Sequence, residues 1–170
     1  MSMRFSKSVL TVPLCCLVGY ALALAMSRHI DLCEVESTSM LPTLRPGERI
    51  VVERFINSLS PYKRGDIVVV YAPTKDGLAV KRLIGLPSDQ ISVREGKVFL
   101  NGKAISEPYI RLGLRSGGAY RDWPSKTGTD PTSINIPEAH IFVLGDNRDE
   151  SIDSRVWGLL PEQAIYGRKY

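Results

Sequence analysis

The chain has 170 residues, 44% hydrophobic and 24% charged, which fits one folded domain with a modest core and excludes an intrinsically disordered chain. The net charge is +4, but Arg4, Lys7 and Arg28 all precede the first acid, Asp31, so residues 31–170 hold 19 basic against 18 acidic residues and no excess for nucleic acid. Cys15, Cys16 and Cys33 provide neither a disulfide framework nor a C-x-x-C metal spacing.

The first element is Ser8 to Ser27, twenty residues without a charge. At about 1.5 Å per residue a helix of this length crosses a hydrocarbon core of about 30 Å. No face of the run is polar, which argues against a buried helix of a soluble core. A cleaved signal peptide remains a competitor, with Ala23-Leu24-Ala25 as a small-x-small site. The reading adopted is one anchor helix over 8–27, a cytoplasmic N-terminus over 1–7, and an extracytoplasmic domain over 31–170. The basic flanks nearly balance, with Arg4 and Lys7 at one end and Arg28 and Arg45 near the other, so orientation is weakly signalled.

Past the anchor the chain reads as mainly β, antiparallel and barrel-like. Residues 49–55 and the β-branched run 66–71 are strand-like. Residues 78–84 follow, with Lys81-Arg82 set in an apolar run. Residues 90–94 and 97–100 flank Glu95-Gly96 as a hairpin, and Asn101-Gly102 supplies the next turn. Between 104 and 137 glycines and prolines break the periodicity, which reads as a loop-rich insertion. Residues 141–144 form a further strand, and helix is expected near 161–164.

Three places carry candidate chemistry. Residues 36–44, ESTSMLPTL, present Ser37, Thr38 and Ser39 ahead of the first strand read from the pattern. A serine hydroxyl needs a base to become a nucleophile. Only His29 and His140 exist, and no G-x-S-x-G or S-x-x-K pattern is present, so a lysine from elsewhere is the best-placed base. Lys81 is the candidate: in a strand it faces opposite to Arg82, so a solvent-facing Arg82 turns Lys81 inward, where burial lowers its pKa. A lysine that snorkels from an edge strand is the competing reading. The third place is the polar run 145–155, either a solvated loop or a buried hydrogen-bonded turn. Met40 either lines a groove or packs in the core.

Together these segments resemble the type I signal peptidases, membrane-anchored serine-lysine proteases. The resemblance is carried by Ser39-Met40-Leu41-Pro42-Thr43-Leu44 with Gly47, by Arg64 to Val68, by Lys81 to Pro87, and by Gly145 to Asp149 with Ser151, Asp153, Ser154 and Arg155. It implies Ser39 as nucleophile, Lys81 as general base, and the Ser39 amide with the Ser37 hydroxyl as oxyanion hole. It further implies that Ser151 hydrogen-bonds the lysine amine, that Asp153 and Arg155 brace that turn, and that Asp146 holds the loop. The implied substrate is a preprotein signal peptide with small residues one and three positions before the cut. No metal or organic cofactor is implied, and the implied location is a bacterial cytoplasmic membrane with the catalytic domain outside. Glu36 and Thr38 stand where many bacterial members carry proline and glycine. Two other classes share parts of the pattern: a self-cleaving SOS-repressor-type protease, which would lack the anchor, and an inactive anchored β module that binds exported segments.

Overall fold

Short alternating runs broken by turn residues build the described residues of the protein almost wholly into antiparallel strands. A computed structural model of the chain describes residues 29–54, 62–74, 77–110, 123–124 and 133–170. The expected anchor at 8–27 and the terminus at 1–7 lie outside the described residues, as does much of the 104–137 insertion. Among the described residues no helix is long and apolar enough to cross a membrane.

The described strands are β1 (His29–Glu34), β2 (Arg49–Arg54), β3 (Ile67–Tyr71), β4 (Leu78–Gly85), β5 (Gln90–Arg94), β6 (Lys97–Leu100), β7 (Lys103–Ala104), β8 (Ile134–Asn135), β9 (His140–Leu144), β10 (Leu160–Pro161) and β11 (Ile165–Lys169). One helix, α1 (Ser154–Trp157), lies between β9 and β10. Seven strands form one sheet in the order β1-β2-β11-β3-β4-β9-β10, and four form a second in the order β7-β6-β5-β8. The barrel-like expectation becomes an open, curled sheet, with β1 and β10 as its edges.

The β5–β6 and β6–β7 hairpins turn where the sequence signals them. Glu95 and Gly96 have φ of 50° and 75°, and Asn101 and Gly102 have 51° and 79°. Paired positive φ values are what a two-residue hairpin needs for its twist to match that of the strands. The expected helix at 161–164 is a single 3₁₀ turn, Glu162–Ala164, because the chain re-enters the large sheet at once as β11.

Alternation along the strands gathers the core into three groups. Ile84, Ile91, Val93, Val98, Ile136 and Phe142 fill the space over the small sheet, and Trp123 packs on Phe142 with ring centroids 4.6 Å apart. Trp123 and Ile136 belong to the 104–137 insertion, so that segment is not wholly an excursion; its apolar residues complete this core. Val35, Met40, Leu44, Ile50, Val52 and Val69 form a second group under the Ser39 turn, and Val68, Leu83 and Val143 belong to a third. Met40 has no exposed surface, so it packs in the core.

Phe142 is fully buried at the heart of the first group. Phe142→Ala is expected to lower stability by about 3–5 kcal/mol, from lost transfer free energy and the cavity left behind. Denaturant unfolding followed by intrinsic fluorescence checks this.

Candidate active site

Ser39 sits in a 3₁₀ turn, Thr38–Met40, held from two sides. Below it, Met40 and Leu44 are buried in the core and the Leu44 amide donates to the Met40 carbonyl at 3.0 Å. Beside it lies the loop that follows β9: the Asn147 amide donates to the Ser39 carbonyl at 3.0 Å. The approach is so close that only glycine fits at 145. A Cβ there would stand 2.5 Å from the Ser39 carbonyl oxygen and 2.2 Å from Ser151 Oγ.

Lys81 comes from β4, where it pairs with Val68 of β3, and its exposure is 3%. Its Nζ donates to Ser39 Oγ at 2.8 Å, across 42 residues of sequence. Ser37 Oγ lies 3.0 Å from Ser39 Oγ. The Lys81 pKa is lowered to about 8, first by desolvation. The Asp153 carboxylate opposes this shift and the Arg155 guanidinium assists it. The Trp157 ring covers the amine, with Nζ 5.9 Å from the ring centroid. An amine near neutrality at hydrogen-bond distance from a hydroxyl has the geometry and basicity to take its proton.

Arg82 corrects the reasoning that led to Lys81. It faces opposite to Lys81, as alternation requires, yet it is only 9% exposed. Its Nε and Nη2 donate to Asp146 at 2.8 and 2.6 Å, its Nη1 donates to the Gly65 carbonyl at 2.7 Å, and its guanidinium lies 3.9 Å from the Tyr109 ring centroid. Polarity alone does not distinguish an arginine in water from one paired bidentately with a buried carboxylate.

Asp146 also accepts from the Thr43 hydroxyl, tying the Ser39 segment to this pair. Asp153 is fully buried and accepts from the Gly145 amide at 3.0 Å, from the Arg155 amide at 3.2 Å, and from Arg155 Nε and Nη2 at 2.9 Å each. Arg155 Nη2 also donates to the Ser151 carbonyl at 3.3 Å. Ser151 differs from expectation. Its hydroxyl is buried beside Gly145 with no hydrogen-bond partner, so the expected bond to the lysine amine is not made.

Several site residues escaped the sequence reading. Asn147 Nδ2 donates to the Thr38 carbonyl at 3.1 Å and to Glu150 Oε2 at 3.2 Å, and Thr38 Oγ1 donates to the same Glu150 oxygen at 2.9 Å. Arg148 donates to the Gly145 carbonyl at 3.0 Å and pairs with Glu107 at 2.5 Å. Ser154 Oγ accepts from the Val143 amide at 3.0 Å. Asn147, Arg148 and Ser154 lie in the segment that carries the family resemblance but had no role assigned to them, Glu150 was marked only by the polar richness of 145–155, and nothing in the pattern marked Glu107. The Glu150 contact also turns the Thr38 side chain toward the loop, so its bulk does not part Ser37 from Ser39.

Ser39 and Lys81 open on a cleft of about 670 Å³, lined by apolar Val35, Val69, Ala79 and Val80, with Glu36 and Glu150 also on its wall. Among the described residues no three His, Cys, Asp or Glu side chains gather to hold a metal ion.

An amine and a serine joined in this way define a candidate serine-peptidase site. The family model for signal peptidase, peptidase S26, matches residues 5–170. The chain is 40% identical to signal peptidase I of Bacillus licheniformis over 78% of its length and 70% of that protein's. Identity to signal peptidase I T of Bacillus subtilis is also 40%, over 78% of this chain and 68% of the other. The crystal structure of a signal peptidase I from Enterococcus faecalis is similar at 31% identity and a TM-score of 0.54, covering 65% of this chain and 98% of that one. The chain belongs to the signal peptidase family, the S26 peptidases.

Arg155 pairs with Asp153, the carboxylate whose charge acts on the Lys81 amine. Arg155→Met leaves Asp153 uncompensated and removes a repelling cation, so both changes favour the charged amine. The expected outcome is a pH–rate profile whose alkaline-rising limb moves to higher pH, with activity lost most at pH 7 and partly regained above pH 9. Initial cleavage rates across pH check the displacement.

Proposed function

We propose that this peptidase removes signal peptides from exported preproteins, with Ser39 as nucleophile and Lys81 as general base. The observation that carries the reading is the 2.8 Å contact between Lys81 Nζ and Ser39 Oγ, made by an amine buried enough that its pKa falls to about 8. With the amine neutral, it accepts the hydroxyl proton as Oγ attacks the scissile carbonyl. The oxyanion is met by the Ser39 amide and the Ser37 hydroxyl, donors fixed before the charge develops. The ammonium then gives its proton to the leaving amine, and water, deprotonated by the same lysine, hydrolyses the ester. Asp153 and Arg155 brace the turn beside the amine, and Asp146 holds the loop through Arg82 and Thr43.

The apolar cleft wall suits an extended segment with small side chains one and three positions before the cut. The uncharged run 8–27 serves as a single membrane anchor, with residues 1–7 inside and 31–170 outside a bacterial cytoplasmic membrane. Because the described strands begin at residue 29, the catalytic cleft is held close to the bilayer from which signal peptides emerge.

Processing of a preprotein with an Ala-x-Ala site is the test. Ser39→Ala, Lys81→Ala and Lys81→Arg are each expected to lose at least about 1,000-fold in rate. Lys81→Arg fails because a guanidinium stays protonated and cannot act as base. Normal processing by a folded Ser39→Ala protein overturns the reading.

A further inference from the structure

The structure carries a further inference about how the nucleophile's own amide is aimed. We propose that Asn147 is a positioning residue for the oxyanion hole, holding both peptide planes that flank Ser39. The proposal rests on the nucleophile reading above, since it assigns the Ser39 amide N–H to the developing oxyanion.

A trans peptide unit is planar, with its C=O and N–H pointing in opposite directions. The Ser39 N–H therefore shares a plane with the Thr38 carbonyl, and whatever orients that carbonyl orients the amide. Two donors reach the Thr38 carbonyl: the Leu41 amide at 3.0 Å and Asn147 Nδ2 at 3.1 Å. The next plane, which carries the Ser39 carbonyl, is held by the Asn147 amide at 3.0 Å. One asparagine thus grips the plane before and the plane after the nucleophile, and the Ser39 N–H is turned away from the loop that carries Asn147. Two donors on one carbonyl also polarise its peptide unit, which strengthens the N–H at the other end as a donor.

The side chain has little freedom to do otherwise. Nδ2 faces two acceptors, the Thr38 carbonyl and Glu150 Oε2, so the amide nitrogen belongs on that side. Glu150 accepts in addition from the Thr38 hydroxyl at 2.9 Å, closing a ring of contacts through Asn147, Glu150 and Thr38. This ring depends on a hydroxyl at 38 and a carboxylate at 150. None of these Asn147 hydrogen bonds goes to Lys81, so its effect on rate is separable from the basicity of the amine.

The test compares Asn147→Ala and Asn147→Asp with wild type in peptide cleavage, in inhibition by a substrate-like peptide aldehyde, and in thermal melting. An aldehyde trapped by Ser39 forms a tetrahedral adduct whose oxygen needs the same donor as the transition state. The expected result for both variants is a fall in kcat of about 10- to 100-fold with KM within about two-fold, set below the 10²–10³ of removing an oxyanion donor outright because the Leu41 bond remains. Aldehyde affinity is expected to weaken by a similar factor, and the midpoint of the pH–rate profile of Asn147→Ala, which adds no charge, to stay at its wild-type position; Asn147→Asp adds a carboxylate, so its rate is compared on the alkaline plateau, where the amine is neutral in both proteins. Asn147→Asp keeps the side chain's shape and the backbone bond to Ser39, so a folded protein is available even if the alanine variant melts early. Unchanged kcat and aldehyde affinity in a folded variant overturn the proposal, as does a loss of rate in Asn147→Ala explained by a displaced pH midpoint. Ser39→Ala, run alongside, separates the two readings. Residual cleavage by it overturns the nucleophile assignment and this proposal together. An inert Ser39→Ala beside a fully active Asn147 variant overturns this proposal alone.

Discussion

The site depends on one buried contact, an amine deprived of water against a hydroxyl. Lys81 is 3% exposed and donates to Ser39 Oγ at 2.8 Å. Desolvation lowers its pKa from 10.5 to about 8, and this has a thermodynamic consequence. Between those values the unfolded chain binds more protons than the folded one, so this group's contribution to stability improves as pH rises from 8 to 10.5. Below pH 8 the full penalty stands, on the order of 3 kcal/mol. The fold sustains that cost because the amine's position is fixed by β4, which is paired on both sides, with β3 and β9.

Around the contact, charge is managed in closed pairs. Arg82–Asp146, Arg148–Glu107 and Arg155–Asp153 all join arginine to a buried carboxylate, and each has a partner in the 145–155 segment. Buried ion pairs gain little net stability over apolar packing, but breaking one leaves an uncompensated charge at a cost of about 3–5 kcal/mol. Their use here is positional. They lock a polar loop against the Ser39 turn, and Arg155 also offsets the field of Asp153, the carboxylate that would otherwise favour the charged lysine. Gly145 completes the arrangement by letting the loop backbone approach the Ser39 carbonyl without a side chain between them.

Much of this was legible before any coordinates, and the exceptions have physical causes. The β-branched run of β3 and the hairpin turns at 95–96 and 101–102 follow from local periodicity and turn chemistry, whereas the burial of Lys81 was only one of two open readings and rested on an Arg82 in water. β1 was missed because its large apolar side chains point outward: Ile30 and Leu32 are 62% and 65% exposed on an edge strand. β11 was missed because its place between β2 and β3 is set by long-range pairing, and its Gly167 carries no side chain to mark a face. The burial of Arg82 was not foreseen because a bidentate partner 64 residues away leaves no trace in spacing. The Asn147 contacts with Thr38 span 109 residues and were hidden for the same reason. Residue types and resemblance singled out Ser39 and Lys81, but the contacts that hold them together were visible only in three dimensions.

The most direct measurement is the ionisation of the Lys81 amine itself, followed by NMR of a labelled lysine side chain in the Ser39→Ala protein, with Lys81→Ala to assign the signal. The account predicts a titration midpoint near 8, well below the ordinary 10.5. A midpoint at the ordinary value would mean that the amine is hydrated and that only about one in 3,000 is neutral at pH 7, against about one in ten for a midpoint of 8, which contradicts the proposed role as the base.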